Sequence, residues 1–137
     1  MEKMLNILLV EDDQVDVMNV KRAFDRNRIT NPLVVAGDGL EALRVLRNGE
    51  MPSDRRMILL DLNMPKMSGI EFLRELRADP ALQHTPVVVL TTSNDERDKI
   101  DAYNLNVAGY LVKPVTFINF VELMAALNKY WTLVVLP

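Results

Sequence analysis

The chain has 137 residues, 49% apolar and 26% charged, the size of one domain with room for a core of its own, and that balance excludes a disordered or collagen-like chain. Cysteine is absent, which excludes disulfides, thiolate metal sites and a cysteine nucleophile. Nineteen acids against sixteen bases give a net charge of −3, which argues against nucleic acid as the main partner, since no excess of Lys and Arg exists to neutralise phosphates.

In chain order, Leu5–Val10 is an apolar run broken only by Asn6, the pattern of a strand buried on both faces. It is too short for a signal peptide or a membrane span, so a cytoplasmic protein without a membrane partner is expected. Gln14–Asn27 carries Val17, Val20 and Phe24 at helical spacing. Leu33–Ala36 is a second run, after the Asn31–Pro32 turn signal. Leu40, Leu43 and Leu46 mark a helix ending near Asn48–Gly49, and Met57–Leu62 is the third run. Ile70, Leu73 and Leu76 place a third helix, stopped by Asp79–Pro80. Val87–Leu90 is the fourth run, Asn94–Asn104 a polar and weakly amphipathic helix, and Tyr110–Val112 the fifth run. Phe117, Phe120, Val121, Met124 and Leu127 give a final helix ending near Tyr130. Strands alternating with helices imply right-handed crossovers and a parallel sheet covered on both faces, a three-layer α/β sandwich. An eight-fold barrel would need about 250 residues.

In such sheets ligands sit beyond the C-terminal strand ends. Glu11, Asp12 and Asp13 follow the first run, Asp61 the third, Thr91 and Thr92 the fourth, and Lys113–Pro114 the fifth. Each has a structural reading. Acids ahead of a helix cap its N–H groups, Thr91 suits a strand, and Lys113 suits a solvated strand end. Asp61 is harder to dismiss, because a charge at the buried end of a central strand is costly unless paired. Several acids crowded on one edge ask for a cation. Oxygen ligands without His or Cys suit a hard ion such as Mg²⁺. A carboxylate beside such an ion can attack phosphorus and form an acyl phosphate. Lys113 and Thr91 would then help neutralise the phosphoryl oxygens.

Four segments together, Ile-Leu-Leu-Val-Glu-Asp-Asp (7–13), Leu-Leu-Asp-Leu-Asn-Met-Pro-Lys-Met-Ser-Gly (59–69), Val-Val-Val-Leu-Thr-Thr-Ser (87–93) and Gly-Tyr-Leu-Val-Lys-Pro (109–114), resemble the receiver domain of two-component response regulators. The resemblance spans essentially the whole chain. It implies the flavodoxin-like fold, with five parallel strands in the order 2-1-3-4-5 and five helices. It implies one receiver domain over residues 1–137, with 131–137 an apolar tail. By position, Asp61 resembles the phosphoacceptor, Asp12 a direct Mg²⁺ ligand, and Glu11 an acid acting mostly through water. Asn63 resembles the residue that offers its main-chain carbonyl to the metal. Thr91 resembles the switch hydroxyl, Lys113 the conserved-type amine and Tyr110 the aromatic switch. A cis Lys113–Pro114 bond is expected by the same resemblance. Glu11 departs from the commoner Asp. Thr92 stands where many relatives carry a small residue, and its bulk bears on water access to the acyl phosphate. The longer Asn48–Arg56 segment, residues 91–98 and the tail are similar to stand-alone regulators that partner bacterial phytochrome kinases.

The resemblance implies a Mg²⁺-dependent transfer from a histidine kinase to Asp61, which switches a protein-binding surface on the fourth helix, fifth strand and fifth helix. The chain would catalyse only its own phosphorylation and dephosphorylation. With no output domain in the sequence, the signal would leave to a downstream protein target or a phosphotransfer protein. The apolar Trp131–Pro137 tail either folds over the core or joins the last helix in a homodimer contact. Two other readings compete. Gly37-Asp38-Gly39-Leu40-Glu41-Ala42 matches G-x-G-x-x-A between a strand and a helix, a dinucleotide-binding pattern, yet Asp38 would put a carboxylate inside the phosphate turn. An aspartate-nucleophile phosphatase would need an acid two residues after Asp61, where Asn63 stands. His84 reads as a surface residue, and Met64 and Met67 as packing for the loop after Asp61.

Overall fold

The computed structural model describes residues 4–134. The chain alternates β1 (Asn6–Val10), α1 (Gln14–Arg26), β2 (Leu33–Ala36), α2 (Gly39–Arg47), β3 (Arg56–Leu60), α3 (Gly69–Ala78), β4 (Val87–Thr91), α4 (Glu96–Asn104), β5 (Gly109–Val112) and α5 (Phe117–Leu133). All five strands are parallel, in the order β2-β1-β3-β4-β5. This is the doubly wound fold expected from the alternation, with its switch in strand order between β1 and β3.

The strands divide their side chains between two cores. Leu8, Val10, Ile58, Leu60, Val87 and Val89 face α2, α3 and α4. Ile7, Leu9, Met57, Leu59, Val88 and Leu90 face α1 and α5. Every residue of β3 and β4 is buried, which is why those runs are apolar without alternation. Helix starts are set locally. Asp13, Asp38, Asp95 and Thr116 accept N–H groups of the first turns of α1, α2, α4 and α5. Ser68 and Glu71 form a reciprocal capping box at α3.

Some boundaries differ from the sequence reading. β3 begins at Arg56 and ends at Leu60, so Asp61 lies just past the strand. α4 begins at Glu96, because Asp95 takes the cap. α5 runs on to Leu133, through the point where the apolar spacing suggested a stop. The reason is Trp131, which is buried and meets Phe24 of α1 with ring centroids 6.0 Å apart. The first part of the expected tail is therefore helix packed on α1, and residues 135–137 lie outside the described residues. No peptide bond among the described residues is cis, so the expected cis Lys113–Pro114 bond is corrected to trans. Trans is the lower form of an X–Pro bond by about 0.5–1 kcal/mol, and here the Lys113 N–H still reaches Thr91 O at 2.8 Å.

Candidate functional site

The C-terminal strand ends gather the residues singled out above. β1 delivers Glu11 and Asp12, and β3 delivers Asp61, whose N–H donates to Val10 O at 3.0 Å. Glu11 and Asp61 are buried while Asp12 is exposed. One oxygen from each of the three carboxylates lies within 4.8 Å of the others. That all-oxygen set suits a hard divalent cation. Asn63 is exposed, and its N–H donates to Asp61 Oδ1 at 3.4 Å. The loop after Asp61 turns back tightly. Gly69 N–H bonds Leu62 O at 3.0 Å, and a Cβ at Gly69 would fall 2.6 Å from Leu62 Cα and 2.7 Å from Asp61 O. Glycine is required there by close approach.

Thr91 closes β4 with no exposed surface. Its hydroxyl donates to Asp61 Oδ1 at 2.7 Å and accepts from Ser93 N–H at 3.3 Å. Thr92 points to solvent as an exposed neighbour. Tyr110, on β5, donates its hydroxyl to Ser93 O at 2.9 Å. Burial comes first in raising the Tyr110 pKa above the ordinary phenol value.

Lys113 directly follows β5. Its ammonium is bonded by Glu11 and, at 3.0 Å, by Asp16 Oδ2, with no bond to Asp61. Asp16 went unnoticed in the sequence. It sits in the first turn of α1, and its signal was an acid five residues after Glu11 on a helix that starts at this edge. Burial pushes the Glu11 carboxyl up to about 7, against the pull of Lys113 and with a further push from the nearby Asp61 charge. Burial works to lower the Lys113 pKa, but the Glu11 and Asp16 carboxylates outweigh it and raise it. Both partners move upward because burial outweighs the single ammonium at Glu11, with the Asp61 charge adding to it, whereas at Lys113 the Glu11 and Asp16 carboxylates outweigh burial. Without a cation this edge therefore carries more negative charge than Lys113 can balance.

Two other residues were missed. Ser93 Oγ donates to Asp98 Oδ2 at 2.6 Å, which joins the Thr91 loop to the first turn of α4. The competing dinucleotide turn is occupied from within: Asp38 accepts Glu41 N–H at 2.8 Å, and the Glu41 carboxylate accepts Gly37 N–H at 3.1 Å. Carboxylates already hold the N–H groups that a pyrophosphate would need. No acid occupies the Asn63 position that a phosphatase would use.

Comparison with known proteins agrees with this geometry. The response regulator receiver domain family matches residues 7–128. The chain belongs to that family. It is 39% identical over 128 residues to response regulator Rcp1 of Synechocystis sp., covering 91% of this chain and 87% of Rcp1. Among solved structures, the phosphorylated cyanobacterial phytochrome response regulator RcpA aligns with a TM-score of 0.87 at 35% identity, over 98% of this chain and 99% of that one. The Mn²⁺-bound form of Rcp1 aligns with a TM-score of 0.84 at 39% identity, over 97% and 99% of the two chains. The flavodoxin-like fold and the receiver reading of the motifs are thus both borne out. No helix among the described residues is long and apolar enough to cross a membrane.

Proposed function

We propose that this receiver accepts a phosphoryl group on Asp61 from a phosphohistidine of a sensor kinase. The observation that carries the reading is the buried Asp61 carboxylate, with Thr91 on its Oδ1 and two further acids within reach of one cation. Oδ1 is engaged by Thr91 and by Asn63 N–H, so Oδ2 is the oxygen placed to attack. An O–P bond forms, the P–N bond to the imidazole breaks, and the imidazole leaves with its electron pair. Asp12 and Asp61, Glu11 through water, and the Asn63 carbonyl would hold Mg²⁺, which supplies positive charge for the phosphoryl oxygens.

The chain's own residues then respond. Acylation replaces one carboxylate charge with a dianionic group. The Thr91 hydroxyl, already aimed at Asp61, passes to a phosphoryl oxygen. Lys113 gains an anionic partner and can leave Asp16. The Thr91 loop reports the change through Ser93 to Tyr110 and α4. Thr92 is exposed next to Thr91 and Pro114 fixes the backbone after Lys113, which makes both modifiers of the acyl phosphate's lifetime and setting. The chain's only chemistry in this reading is its own phosphorylation and dephosphorylation.

The kinase is read as a bacteriophytochrome-type histidine kinase, in line with the phytochrome regulators it resembles. The readout surface is α4, β5 and α5, where Ile100, Tyr103, Val112, Ile118 and Leu133 are exposed. Such a surface suits a downstream target, a phosphotransfer protein or a second copy meeting through α5 and the tail. A cytoplasmic location follows from the kinase partner, and one receiver domain over residues 1–137 from the span of the motifs. Acetyl phosphate with Mg²⁺ tests the central step. Wild type should become a base-labile phosphoprotein, and Asp61→Ala should not. Equal labelling of the two would remove Asp61 as the acceptor.

A further inference from the structure

The opposite end of the sheet carries a buried arginine with no counterion among the described residues. Arg56 opens β3 and is 7% exposed. Among the described residues its guanidinium has no hydrogen-bond partner and no carboxylate. Burial is the one influence on its pKa, which it lowers from the ordinary arginine value. A charge held this way is costly unless something pairs with it. Its nitrogens are not sealed in the core. Arg56 lines a cavity of about 140 Å³ together with Ser53, Ala81, His84, Thr85 and Pro86. Thr85 is also buried, at 8% exposed, and its hydroxyl has no partner among the described residues. The same holds for the side chains of Ser53 and His84.

Arg77, one helix away, provides the contrast. Burial lowers its pKa as well, but its guanidinium is satisfied by the carbonyls of Gln83, Thr85, Leu105 and Asn106 at 2.7–3.2 Å. Those bonds also fix the loop that carries His84 and Thr85. Thr85 N–H to Leu82 O and Ile58 N–H to Pro86 O, both 3.0 Å, complete the frame. The Gln83–Pro86 wall of the cavity is therefore held in place, and the Arg56 guanidinium has no protein partner among the described residues.

We propose that this cavity is an anion site that takes a tetrahedral oxyanion of the phosphate or phosphomonoester class. Arg56 supplies the charge and a forked donor. The Thr85 and Ser53 hydroxyls and the His84 ring add donors from two other segments of the chain. A planar carboxylate offers two oxygens to one side and would leave part of this set unused, whereas a phosphate presents oxygens in three directions. The site lies at the N-terminal strand ends, far in the fold from Asp61, and does not rest on the phosphoacceptor reading.

The test is an NMR titration of ¹⁵N-labelled Asp61→Ala protein in EDTA, so that neither phosphorylation nor Mg²⁺ contributes. Inorganic phosphate, phenyl phosphate and acetate are added in turn at matched chloride ionic strength. Saturable shifts at Ser53, Arg56, His84 and Thr85 are expected with phosphate or its monoester, with a Kd of about 1 mM or tighter. The tighter of the two identifies the source, free anion or ester. Acetate should bind at least about tenfold more weakly. Arg56→Met should weaken phosphate binding at least about tenfold, since charge-assisted bonds are lost. If Arg56→Met does not fold, Thr85→Val serves, with a weakening of about threefold or more. No saturable shift at the cavity, acetate binding equal to phosphate, or shifts unchanged in the folded variant would overturn the assignment.

Discussion

Helices α3 and α4 lie on the same face of the sheet but are held by different forces. α3 buries Ile70, Phe72, Leu73 and Leu76, and a capping box fixes its start. α4 buries Ala102 alone. Its N-terminal end is held by Ser93 and Asp98. Beyond its C-terminal end, Arg77 of α3 grips the carbonyls of Leu105 and Asn106. Close packing admits one position, because any shift opens voids. Hydrogen bonds to a loop can be exchanged at little net cost. α4 is thus tied to the rigid helix at one end and answers to the Thr91 loop at the other, which is the arrangement a switch element needs.

The largest expected effect tests the rigid side. Phe72 is fully buried, so Phe72→Ala should cost about 3–5 kcal/mol in urea unfolding. The matching cut on α4, Ile100→Ala at an exposed position, should change stability by no more than about 0.5 kcal/mol. Similar losses from the two cuts would erase the contrast.

The second effect separates the apolar face from the charged edge through pH. The folded Glu11 carboxyl lies near 7 against an ordinary 4.5. Between those values the native state binds more protons than the unfolded one at this carboxyl, so the stability this group contributes is fully present below about 4.5 and is lost as pH rises through 7. The loss from this group is at most roughly 3 kcal/mol. It should show in EDTA between pH 5 and 8, shrink when Mg²⁺ is added, and vanish in Glu11→Gln. A slope that survives unchanged in Glu11→Gln belongs to other groups.

The smallest effect sharpens the account of α4 itself. Ser93→Ala removes the donor to Asp98 and should lower hydrogen-exchange protection across Glu96–Asn104 by about 1 kcal/mol. Protection in α3 should stay as it was. Matching losses in both helices would mean that α4 opens only with the whole fold.

Much of this was legible before any coordinates. The apolar runs of β1, β3 and β4 announce strands buried on both faces, and the acids at 11–13 announce a helix start. The acids at 11, 12 and 61 could be placed on one edge because parallel strands end together. What was not legible depended on side-chain reach. Asp16 looked like an ordinary acid of the first helical turn, yet it shares Lys113 with Glu11. Ser93 and Asp98 are five residues apart, a spacing without a helical or strand signature. The end of α5 was misplaced because Trp131 is helical by virtue of Phe24, more than a hundred residues earlier.

The sequence alone decided the order of elements, the two-sided burial of the sheet and the set of chemical groups at the C-terminal strand ends. Those follow from periodicity and from local caps, which neighbouring residues settle among themselves. Tertiary structure alone decided which carboxylates share the lysine, which hydroxyl meets Asp61, and that Arg56 is buried without a counterion among the described residues while Arg77 is fully engaged. Such pairings join distant parts of the chain, and their energies depend on burial and on a few ångströms of separation that no local pattern records.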